Sequence, residues 1–143
     1  MPRATQFILW KGVPDDLRSD ARFLILTVIR LMKLHLEKIQ AYSVIFIEED
    51  RIDAHNSAEL KDYILHLLEQ GELRLIVQLA DVRFIDSSGL GALLSGYKHA
   101  AAKSGKLVLA CCSQQVAAMF ELTRLNRAFE MYADLNEALA STA

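Results

Sequence analysis

From Lys33 onward, hydrophobic residues recur first at every second position and then at every third or fourth, and the two periods take turns along the chain. A period of 2 lines one face of a strand and a period of 3.6 one face of a helix, so strands and helices must alternate. Such segments bury their apolar faces by packing helices on a sheet. The sequence therefore predicts an α/β domain with a mixed β-sheet of four to five strands and about four helices, in the order β-β-α-β-α-β-α-β-α.

Leu34 and Leu36, then Val44 and Phe46, flank a break at 40–43 and read as a hairpin whose second strand ends in the acidic run Glu48, Glu49, Asp50. Asn56 or Ser57 is the expected cap of a helix that turns Leu60, Ile64, Leu67 and Leu68 inward, and Gly71 closes it in the left-handed position. Leu73, Leu75, Ile76, Val77 and Leu79 form the near-continuous apolar run of a central strand covered on both faces. After a loop at 81–85, a second helix starts at 86–88 and carries Leu90, Leu93, Leu94, Tyr97 and Ala101 inward, with Gly105 ending it as Gly71 ends the first. A buried strand at 106–111, a helix face of Val116, Met119 and Phe120, a short strand at 129–132 and a last helix capped by Asp134 through Leu135, Ala138 and Leu139 complete the pattern. No internal repeat or low-complexity tract interrupts it.

Composition narrows the function. The 143 residues suit one domain, and 52% hydrophobic against 24% charged residues supply a core. A net charge of -2 and a pI near 6.1 argue against nucleic-acid binding. The two cysteines, Cys111 and Cys112, are adjacent, which excludes a disulfide scaffold and suits a reducing compartment. The apolar run at 23–29 is closed by Arg30 and is too short to span a bilayer, and no signal peptide is apparent. A cytoplasmic protein without membrane insertion is expected. Residues 1–31 differ in kind: they hold five Lys/Arg against three Asp, both prolines and the only tryptophan. The simplest expectation is a domain of residues 32–143 starting at Met32, preceded by upstream sequence. The alternative is an added helix or strand that packs on the domain or on a second copy.

The stretch Phe84-Ile85-Asp86-Ser87-Ser88-Gly89-Leu90-Gly91 departs from good helix chemistry, because two glycines fall in the first turns at about 1 kcal/mol each relative to alanine. Either close backbone approach is needed there for function, or this is a plain capping motif with tight packing. Enzymatic motifs fail on spacing. Ile85 and Asp86 stand where a nucleophile elbow needs glycine two residues before its serine. Leu94 occupies the third glycine of a dinucleotide fingerprint, and Gly91 is not followed by the Gly-Lys-Ser/Thr of a phosphate loop. His35, His55, His66 and His99 are scattered, with no metal-ligand spacing. No catalytic residue, metal or cofactor is expected.

At this stretch the sequence closely resembles STAS domains, in particular bacterial anti-sigma factor antagonists. Supporting segments are Arg51-Ile52-Asp53-Ala54, Ser57-Ala58-Glu59-Leu60, Leu79-Ala80-Asp81-Val82, Leu122-Thr123-Arg124-Leu125 and Phe129-Glu130. The resemblance spans residues 32–143. It implies a non-enzymatic switch in which the unphosphorylated protein binds an anti-sigma factor serine kinase and releases the sigma factor. It also implies phosphorylation at Ser87, resetting by a PP2C-type serine phosphatase, and a partner-binding face of Asp53, Asp86, Ser87, Ser88 and Gly89. The extension leaves monomer or weak dimer open, and Arg51 and His55 give the surroundings of Asp53 an unusual basic character. Related domains also serve as accessory subunits of transport systems, and a scaffold or sensor that is not phosphorylated is a further alternative.

Overall fold

A computed structural model describes residues 32–141, so the expectations for residues 1–31 fall outside the described part. Strands β1 (Leu34–Ile39) and β2 (Tyr42–Ile47) form an antiparallel hairpin, and Gln40 turns it with φ 57°. Strand β2 then pairs in parallel with β4 (Arg74–Gln78), β4 with β6 (Lys106–Ala110), and β6 with β7 (Met131–Tyr132). The sheet is five-stranded and mixed, in the order β1-β2-β4-β6-β7.

Alternation along the strands divides the core into two layers. Leu34, Ile45, Ile47, Leu75, Val77, Leu107 and Leu109 face one side, where they meet Leu60, Ile64, Leu67 and Leu68 of α1 (Ser57–Glu69), Leu90 and Leu93 of α2 (Ser87–Ala102), and Val116 and Phe120 of α3 (Gln114–Leu122). Tyr42, Val44, Ile76, Val108 and Ala110 face the other side and pack with Ala138 and Leu139 of α4 (Leu135–Ala140). Burial on both faces explains why the sequence of β4 is apolar without alternation.

Several local expectations are corrected. Asn56 is the residue before α1 but makes no side-chain capping bond. Its amide instead ties the preceding loop, accepting from Asp53 N at 2.9 Å and donating to Arg51 O at 2.8 Å. In α2 the inward residue near the end is Ala100, fully buried, and Ala101 is exposed. Gly71 does take the left-handed position, with φ 88°, but Gly105 does not repeat it, because Ser104 adopts φ 59° after α2. Gly105 is there for space: a β-carbon on it would lie 2.4 Å from Leu73 O. The segments at 51–52, assigned no element from the sequence, and 84–85, read as loop, form a second sheet of two parallel strands, β3 (Arg51–Ile52) and β5 (Phe84–Ile85). A short 3₁₀ turn, Leu125–Arg127, was likewise not foreseen.

Two glycine substitutions separate packing from helix propensity. Gly105→Ala should lower stability by roughly 1–3 kcal/mol in urea unfolding, because carbonyl and side chain must shift. Gly91→Ala in α2, where a β-carbon would meet nothing within 4 Å, should raise stability by up to about 1 kcal/mol.

Candidate functional site

The small sheet of β3 and β5 organises the motif. Asp50 O accepts from Arg83 N and Phe84 N, at 2.7 and 3.2 Å, and Asp86 N donates to Ile52 O at 3.2 Å. Ile52 and Ile85 point inward and are fully buried, which leaves Arg51 and Phe84 outside. α2 then springs from the end of β5. Its third residue, Gly89, lies against this sheet so closely that a β-carbon would stand 2.7 Å from Ile85 Cγ1 and 2.8 Å from both Ile52 Cγ2 and Ile52 O. Tight packing, one of the two readings left open by the sequence, therefore accounts for Gly89 and not for Gly91.

Asp86 caps α2. Its Oδ1 accepts from Gly89 N at 3.0 Å and from Ser88 Oγ at 2.5 Å. These bonds, the Ser88 hydroxyl first and the Gly89 amide next, hold its carboxyl below the usual carboxylate range. The amide of Ala54 adds to the same effect. The two serines are thereby distinguished. Ser88 is half-buried and spends its hydroxyl on Asp86, whereas Ser87 is exposed.

Asp53 is mostly covered, with its side chain 20% exposed, and it gathers two basic side chains. Arg51 Nε lies 3.5 Å from Oδ2, and His55 Nδ1 lies 3.4 Å from Oδ1, which also accepts from His55 N at 2.9 Å. The Arg51 guanidinium sits 4.7 Å from the centroid of the Phe84 ring. Phe84 is 43% exposed, unusual for a large apolar residue in this molecule. Phe84 was not singled out from sequence as a surface residue. The only available signal was its place opposite Arg51, and that required recognising a strand of two residues.

Pairing of β3 with β5 thus brings Asp53, Asp86, Ser87, Ser88 and Gly89 into one neighbourhood, which His55 joins at Asp53. Cys111 and Cys112 follow β6 as free thiols. Burial raises both above the ordinary thiol value, Cys112 to about 11, so neither is activated. Among the described residues no group of three His, Cys, Asp or Glu side chains could hold a metal, and no helix is long and apolar enough to cross a membrane.

Fold and site together define a small mixed-sheet α/β domain that presents a capped helix start, with a free hydroxyl, at the edge of its sheet. The chain belongs to the STAS domain family, whose pattern it matches over residues 33–138. It is 33% identical over 75 residues to the anti-sigma-B factor antagonist of Bacillus subtilis (strain 168), covering 52% of this chain and 67% of that protein. Its fold resembles that of the phosphorylated form of the Bacillus cell fate determinant SpoIIAA, with TM-score 0.61 and 24% identity over 78% of this chain and 100% of that one. A sulfate transporter family protein from Wolinella succinogenes also shares the fold, with TM-score 0.64 and 18% identity over 73% of this chain and 86% of that one.

The depressed carboxyl fixes the sign of a pH effect. Asp86 contributes stability that is fully present above its ordinary value of 3.8 and is lost as pH falls through its lower folded value. Asp86→Ala should therefore melt a few degrees below wild type at neutral pH, with the gap closing in acid; a gap that does not change with pH would contradict the capping role.

Proposed function

We propose that this chain is an anti-sigma factor antagonist whose unphosphorylated form docks on an anti-sigma factor serine kinase and frees the sigma factor. Phosphorylation at Ser87 switches it off. The observation that carries the reading is the division of labour at 86–88: Asp86 and Ser88 are occupied with each other and with helix amides, while Ser87 offers an exposed hydroxyl. The naming of the Bacillus subtilis relative supports the same role.

The chemistry of the switch follows from charge and fit. A phosphate on Ser87 adds roughly 1.5 to 2 negative charges beside Asp86. The amino terminus of α2 makes that charge tolerable to the fold. A partner packed against Asp53, Asp86, Ser87, Ser88 and Gly89 would have to desolvate it next to a carboxylate, which opposes binding. Exposure of Ser87 also gives a PP2C-type phosphatase access for the reverse step. In this role the protein acts in the cytoplasm through binding alone, as a monomer or weak dimer, without catalysis or cofactor.

A second reading, an accessory subunit of a transport system, is favoured by the shared fold of the Wolinella protein. It predicts association with membrane subunits and no change at Ser87.

Calorimetric titration with the cognate serine kinase tests the switch. Ser87→Ala should bind as wild type does and resist inactivation by ATP, whereas Ser87→Asp should bind at least about tenfold more weakly. Equal affinity of the two variants would contradict a charge-based switch.

A further inference from the structure

The outer side of β3 and β5 holds a cation that the docking reading does not require. Parallel pairing sets Arg51 beside Phe84 and Ile52 beside Ile85. Since successive strand residues alternate sides and both isoleucines point inward, Arg51 and Phe84 lie outward, Asp53 and Asp86 continue the same rows, and Ser87 follows at the start of α2. The Arg51 side chain is 59% exposed, and its 3.5 Å approach to Asp53 is longer than the ~2.7–2.9 Å of a strong charge-assisted hydrogen bond. Neither that contact nor the face of Phe84 holds it firmly.

We propose that Arg51 is a built-in counter-ion for phosphate on Ser87, so that modification draws the guanidinium from Asp53 and Phe84 onto the phosphate oxygens. This rests on the reading of Ser87 as the modified residue. A phosphate dianion offers a guanidinium more charge and more acceptor oxygens than Asp53 does, in a geometry suited to two parallel N–H bonds. The distance along the strands is about three residues at ~3.3 Å each, a span that an extended arginine and a phosphoserine bridge between them. The need is also local. Asp53 and Asp86 would face the phosphate with like charge, and on this side Arg51 is the guanidinium already drawn to Asp53, beside the His55 imidazole. Transfer of Arg51 strips the cation from the exposed Phe84 ring, so phosphorylation changes the shape of the docking face as well as its charge.

The test needs no kinase. Phosphoserine is installed at position 87 of the full chain during synthesis, and its second ionisation is followed by 31P NMR with Arg51 intact or replaced in Arg51→Gln. Both chains carry His55→Gln, because imidazoles titrate in the same range. With Arg51 present the midpoint should fall below the usual value of about 6, and Arg51→Gln should raise it by roughly half a unit or more. Arg51→Lys should recover part of the difference, and circular dichroism should show the same fold throughout. Equal midpoints for the intact and Arg51→Gln chains would overturn the counter-ion role. A cognate kinase that leaves Ser87 unmodified would instead remove the switch itself and leave the titration result standing.

Discussion

Contact between Gly89 and the pair Ile52 and Ile85 is the constraint on which the site depends. With less than 3 Å available to any β-carbon at position 89, the first turn of α2 lies directly on the small sheet of β3 and β5. That seating aligns Asp86 with the carbonyl of Ile52, to which its amide donates. Two segments more than thirty residues apart in sequence are locked into one surface by it. A side chain at position 89 would push the helix off, and the capping geometry, the Asp53 loop and the exposure of Ser87 would all change together.

The same seating explains why two adjacent serines differ. A helix start needs acceptors for its free amides, and Asp86 supplies one to Gly89. Ser88, one turn position further, falls where its hydroxyl bonds the cap and strengthens it. Ser87 is left facing solvent. An exposed hydroxyl at a helix amino terminus beside a fixed carboxylate tolerates a phosphate within the fold yet makes it costly in an interface. Arg51 and Phe84 extend this surface with a cation on an aromatic ring.

Much of the architecture was legible in the sequence because burial dictates it. The long elements carry strong periods, and the five strands of the main sheet, α1 to α4 and most inward residues emerge from them. The two-residue strands β3 and β5 did not, because they owe their existence to pairing with each other, with Asp50 O serving two amides; β7, equally short, was legible only as part of the run at 129–132. Capping chemistry was legible at 86–88 and at Asp134, where Asp86 and Asp134 bond their helices, whereas Ser113, which caps α3 in the same way, was not singled out. It misled at Asn56, whose amide found better partners across the loop. Glycine proved ambiguous in the same way: Gly71 serves conformation and Gly105 serves space, and only the neighbouring Leu73 carbonyl tells them apart. At the site, the residues came from the motif and its family resemblance, but the difference in exposure between Ser87 and Ser88 is a property of the folded helix start.

The most direct measurement is fragment mass spectrometry of the full chain after incubation with its serine kinase and ATP. If the surface works as a phosphorylation switch, fragment ions will place a single phosphate on Ser87 and leave Ser88 unmodified. Phosphate on Ser88, or none between Asp86 and Gly89, would contradict it.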